Sequence, residues 1–122
     1  MDDAYFFDTY AIIEIIKGNQ AYQEYKNPSI VLTIFNIAEL HYALLRDFSP
    51  QIAETLTKKY AQFIIEVDIE TMAEANAFKL KNKEKKYSVA DCIGYIMANK
   101  LGLKFLTGDQ GFKGLKGVEF VK

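Results

Sequence analysis

The chain has 122 residues, half of them hydrophobic and 14% aromatic, and a net charge of −1 at a pI near 5.8. That is enough for one domain burying roughly two-thirds of its surface, and it excludes disorder driven by low hydrophobicity. One cysteine (Cys92) and one histidine (His41) exclude a disulfide framework, a multi-cysteine zinc site and paired-histidine metal centres. There is no apolar run of about 18 residues, and Met1-Asp2-Asp3 offers no basic leader. The expectation is a soluble, cytoplasmic chain whose chemistry comes from carboxylates, hydroxyls and lysines.

Ala4 to Phe7 is a short aromatic run that reads as a buried strand ending at Asp8. Ile12, Ile13, Ile15 and Ile16 mark an amphipathic helix, stopped at Gly18-Asn19. After Pro28, Ser29 to Thr33 reads as a second strand. Asn36 then caps a helix through Ile37, Leu40, Leu44 and Leu45, with Glu39 in its first turn. Pro50 opens a helix to about Ala61. Phe63 to Val67 is the expected third strand, and Asp68 caps a helix carrying Met72, Ala75 and Phe78. Ser88-Val-Ala-Asp91 has the form of a capping box and opens a helix that Gly102 ends. Lys104 to Thr107 is the fourth strand; a turn over 108–111 and a short last strand, Val118 to Val121, follow. Strands alternating with helices specify an α/β domain with a mainly parallel sheet and helices on both faces, a three-layer α/β/α arrangement.

In such a sheet, ligands bind outside the carboxyl ends of the strands. Asp8, Glu39, Asp91 and Asp109 come from four separate segments and all face that rim by topology. Two carboxylates about 4 Å apart repel by about 1 kcal/mol in water and about 4 kcal/mol at an effective dielectric of about 20. A cluster of them calls for a cation, and oxygen-only ligands select Mg²⁺ or Mn²⁺ over zinc or copper. Such an ion with open positions suits phosphodiester hydrolysis. Each acid also has a plainer explanation. Asp8 can cap the helix that Thr9 starts, and Glu39 can answer a helix dipole. Asp91 can complete its capping box, and Asp109 can serve a turn. Their joint placement raises the metal reading above these.

The residues resemble a PIN domain over nearly the whole chain. Phe6-Phe-Asp-Thr-Tyr10 is similar to the family's opening hydrophobic-Asp-Thr/Ser motif. Thr33 to Leu40, with Asn36-Ile-Ala-Glu39, is similar to the segment that bears the family's glutamate. The order Ser88-x-x-Asp91, helix, strand, Thr107-x-Asp109-x-x-Phe112 matches its C-terminal signature. The resemblance implies a Mg²⁺- or Mn²⁺-dependent ribonuclease of the VapC toxin type, held by an antitoxin and forming a homodimer. It implies metal binding by Asp8, Glu39, Asp91 and Asp109, supported by hydrogen bonds from Thr9, Ser88 and Thr107. Gln110 and Gly111 stand where many relatives carry a further acid, which bears on a second metal more than on the first.

Lys79, Lys81, Lys83, Lys85 and Lys86 form a basic run that can meet RNA phosphates or simply solvate a helix end. Cys92 reads as a buried free thiol, and His41 points away from Glu39's face. Tyr42, Phe48, Tyr60 and Phe63 serve the core or an exposed strip for a dimer or antitoxin. A receiver-type phosphoacceptor is the first rival: Asp68 suits it, but Asp8 lacks a partner acid, because Asp2 and Asp3 precede the strand. A catalytically silent scaffold that binds RNA or protein is the second.

Overall fold

Side chains on a strand alternate between faces, so Phe6 and Phe7 must bury on opposite sides of whatever sheet they join. The computed structural model describes residues 4–26 and 29–122 and shows that division. The opening Met1-Asp2-Asp3 and Pro28 lie outside the described residues. β1 (Ala4–Phe7) is flanked by β2 (Ser29–Val31) and β3 (Lys104–Thr107), and β4 (Val118–Phe120) adds to the far side of β3. All pairings are parallel, in the order β2-β1-β3-β4. Phe6 and Phe105 are paired in register and bury on one face, while Phe7 and Leu106 bury on the other.

Among the described residues, five α-helices cover the two faces. α1 (Thr9–Lys17), α2 (Ile34–Asp47) and α3 (Pro50–Ala61) enclose the core of Phe7, Ile12, Tyr22, Leu40, Leu44 and Leu106. α4 (Ile69–Lys81) and α5 (Val89–Leu101) close the second core of Phe6, Ala75, Ile93, Phe105 and Phe112. Gly18 and Gly102 end α1 and α5 in the left-handed conformation that glycine adopts without steric cost. Among the described residues no helix is long and apolar enough to cross a membrane.

Two sequence expectations require correction. The segment expected as a third strand, Phe63 to Val67, forms only a single parallel bridge, Leu32 to Ile64. The cause lies in its neighbour: β2 stops at Val31 and Thr33 already caps α2, so one residue remains to pair with. The cap itself also moves. Thr33, not Asn36, is the N-cap; its hydroxyl accepts from Phe35 N at 3.2 Å, and the Asn36 carboxamide accepts from Thr33 N at 2.9 Å. This reciprocal box starts the helix earlier and carries Glu39 into its second turn. Of the four aromatics assigned to core or strip, Tyr60 is buried and Phe63 packs against the first core. Tyr42 and Phe48 are exposed.

α5 approaches the sheet at Gly94, where a Cβ would lie 2.7 Å from Phe6 Cε1 and 2.9 Å from Phe105 Cε1. Gly94→Ala therefore overpacks two rings on adjacent strands, at about 1–3 kcal/mol, against up to about 1 kcal/mol regained in helix preference. A net loss of stability is expected in urea unfolding. An unchanged midpoint would show that the two rings yield freely.

Candidate metal centre

Because all the strands run in parallel, the segments leaving β1 and β3 and the N-terminus of α5 open on one edge. The four acids expected at that edge are brought together there. Asp8, Glu39, Asp91 and Asp109 line a single cavity of about 360 Å³, together with Thr9, Tyr10, Gly108, Gln110 and Lys122. Asp8 is buried directly after β1, where its Oδ1 accepts from Thr9 N at 2.9 Å and caps α1. Its Oδ2 accepts from the Thr107 hydroxyl at 2.7 Å. Thr107 Oγ1 in turn accepts from Asp109 N at 3.0 Å, so one threonine ties the first acid to the backbone of the last. Asp109 Oδ1 accepts from Gly111 N at 2.9 Å, the turn role expected for it. Ser88 and Asp91 form their capping box, with bonds of 3.0 and 2.9 Å. For Asp8, Asp91 and Asp109 the capping or turn role and a place in the cavity coexist.

Glu39 reaches the cavity from α2, and the Thr9 hydroxyl donates to its Oε1 at 2.9 Å. Behind Thr9 stands Asn36, fully buried, whose Nδ2 donates to Thr9 Oγ1 at 3.3 Å while its Oδ1 accepts from Thr33 Oγ1 at 3.0 Å. Sequence reasoning took Asn36 only as a cap. The T-x-x-N spacing from Thr33 to Asn36 was the available signal of a capping box. Lys122 and Tyr10 were also missed, although β4 lies parallel to β3 and must deliver its following residues to the same edge.

Asp8, Glu39 and Asp91 titrate as a crowded set. Burial first, then the charge of Asp91, push Asp8 well above the ordinary aspartate value of 3.8, with Glu39 adding to the rise and the Thr107 bond opposing it. Burial raises Asp91 as well, against its Ser88 bonds and with help from Asp109. Burial likewise raises Glu39, against the Thr9 hydroxyl and with help from Asp91. Asp8, Glu39 and Asp91 each sit where negative charge is unfavourable unless a cation joins it. Among the described residues no three His, Cys, Asp or Glu side chains are gathered into a ready-made coordination set. The acids share the cavity walls rather than closing a cage.

The basic run divides. Lys79 is engaged internally, its ammonium donating to the carbonyl of Tyr87, while Lys81, Lys83, Lys85 and Lys86 are exposed. Cys92 is buried, and burial pushes its thiol up to about 11, as an inert core residue. His41 is exposed on α2.

The PIN domain family model matches residues 5–118. Three solved structures share the fold over nearly their whole length. A toxin–antitoxin complex from Klebsiella pneumoniae aligns at 20% identity and a TM-score of 0.70, covering 94% of this chain and 95% of the other. DNA-bound VapBC from Salmonella typhimurium aligns at 15% identity and 0.69, covering 98% and 97%. VapBC2 from Rickettsia felis, bound to a promoter DNA fragment, aligns at 14% and 0.68, covering 98% and 99%. Among curated proteins none matches the sequence.

Two outcomes follow from this geometry. The folded protein holds protons on Asp8, Glu39 and Asp91 that the unfolded chain has already released, so their contribution is complete below the ordinary carboxylate range. It is lost as pH rises through the elevated folded values. In EDTA the melting temperature should therefore be higher near pH 5 than near pH 8, and Asp91→Asn should narrow that gap; melts showing the opposite slope would contradict the charge crowding. Asn36→Ala should cost about 1–3 kcal/mol in urea unfolding, because it takes away the acceptor of the buried Thr33 hydroxyl and the donor to Thr9 Oγ1.

Proposed function

Since the chain belongs to the PIN domain family, we propose that it is a Mg²⁺- or Mn²⁺-dependent endoribonuclease, the toxin of a toxin–antitoxin pair. The observation that carries this reading is the meeting of Asp8, Glu39, Asp91 and Asp109, from four separate segments, in one cavity. The donor set is all oxygen, which suits a hard divalent cation, and the raised proton affinity of three of its members marks charge that such a cation would neutralise. The toxin–antitoxin complexes among its structural neighbours support an antitoxin protein as partner. A cytoplasmic homodimer completes the proposal.

A bound divalent ion supplies Lewis acidity toward a phosphodiester and acidifies water. The chain's own residues prepare for it. Asp8 is fixed by the Thr9 amide and the Thr107 hydroxyl, so it offers its carboxylate without a rotamer search. Thr9, backed by Asn36, orients Glu39, and Ser88 orients Asp91. Thr107 holds the start of the turn that carries Asp109. With no histidine lining the cavity, proton transfer falls to water and these carboxylates. The exposed Lys81, Lys83, Lys85 and Lys86 offer phosphate contacts outside the cavity.

The test is incubation of the purified protein with single-stranded and structured RNA in Mg²⁺, Mn²⁺ or EDTA. Cleavage that requires the metal is expected, and Asp91→Asn should lower it by about two orders of magnitude or more while keeping the acceptor that caps α5. Binding of RNA without metal-dependent cleavage would replace the nuclease with the scaffold.

A further inference from the structure

Lys122 is the only cation among the residues lining the acid cavity. Its backbone is delivered there by a tight attachment. Val121 N donates to Thr107 O at 2.9 Å, and the Tyr22 hydroxyl donates to Val121 O, so both polar groups of the preceding residue are held. Gly108 packs so closely on this segment that a Cβ would lie 2.5 Å from Val121 O and 2.3 Å from Tyr10 Cε1. The Lys122 ammonium then rests 5.6 Å from the centre of the Tyr10 ring and 3.4 Å from the carbonyl oxygen of Gly108. No described carboxylate lies within ion-pair distance of it, although four acids share its cavity. The side chain is exposed, anchored at its root, and holds a positive charge that those acids leave unmatched.

An anionic strand entering this cavity meets carboxylates on most sides, so a cation other than the metal is needed where the phosphate first arrives. We propose that Lys122 binds a phosphate of the RNA strand at the mouth of the acid cavity and so seats the strand for cleavage. The inference rests on the ribonuclease reading and adds a substrate-binding residue to it. The Tyr10 ring and the Gly108 carbonyl keep the ammonium at the cavity in the free protein, and a phosphate oxygen replaces the weak carbonyl contact on binding.

Cleavage of a single-stranded oligoribonucleotide in Mn²⁺ is compared for the unsubstituted protein, Lys122→Gln and Lys122→Arg. Binding of the same RNA is measured across a salt series in an Asp91→Asn background. Lys122→Gln should lower kcat/KM about tenfold, chiefly through KM, and reduce the steepness of the log–log salt dependence of binding by about 0.7, the contribution of one single-strand phosphate. Lys122→Arg should restore both. The melting temperature should not move, because the bonds that hold Val121 remain. Unchanged KM and salt dependence in Lys122→Gln, with the unsubstituted protein cleaving, would overturn the lysine's role alone. A failure of the unsubstituted protein to cleave with either metal would remove the nuclease reading and this inference with it.

Discussion

Like charges brought together at one edge of the sheet are the constraint around which this molecule is arranged. Four parallel strands send every carboxyl end the same way, and the helices that follow them begin on that side. An acid placed just after one strand therefore shares its surroundings with acids placed just after others. Asp8 bears this most: it is buried, and both Asp91 and Glu39 raise its affinity for protons. A fold built for stability alone would avoid the arrangement. The surrounding hydroxyls do not neutralise the charge, but they make it orderly.

Those hydroxyls form two short chains. One runs from Thr33 through Asn36 and Thr9 to Glu39; the other runs from Asp8 through Thr107 to the amide of Asp109. Each of the three buried threonines, Thr9, Thr33 and Thr107, both donates and accepts, so none is left with an unmet polar group in a dry interior. The chains also bridge elements far apart in sequence, Asp8 with Thr107 and Thr9 with Glu39. The same bonds that hold the fold closed at this edge hold the acids in position. Orientation of the site and stability of the edge are thus the same set of contacts seen from two sides.

Much of this was legible in the residues alone. The paired capping residues Ser88 and Asp91, the stop glycines Gly18 and Gly102, and the short aromatic strand Ala4 to Phe7 act locally, and they appear as read. The topological argument for one acidic rim needed only the alternation of strands and helices, and all four acids line one cavity. What escaped was decided by neighbours. Phe63 to Val67 has strand composition but no length of partner beside it, because Thr33 turns the adjacent chain into a helix. Asn36 looked like a cap because helix-start chemistry is the same at the first and third positions of a capping box; only the fold shows what its amide nitrogen reaches. Lys122 carries no motif, and its place depends on how β4 registers on β3.

The two outer strands, β2 and β4, are three residues long each. The outer side of β2 is partly occupied where Leu32, just beyond it, bridges to Ile64. Unpaired backbone on a sheet's margin is the template on which another chain can add itself, and here each margin exposes too short a ladder to hold one. Among the described residues, three-residue margins leave little free backbone for a second folded copy to pair with side by side.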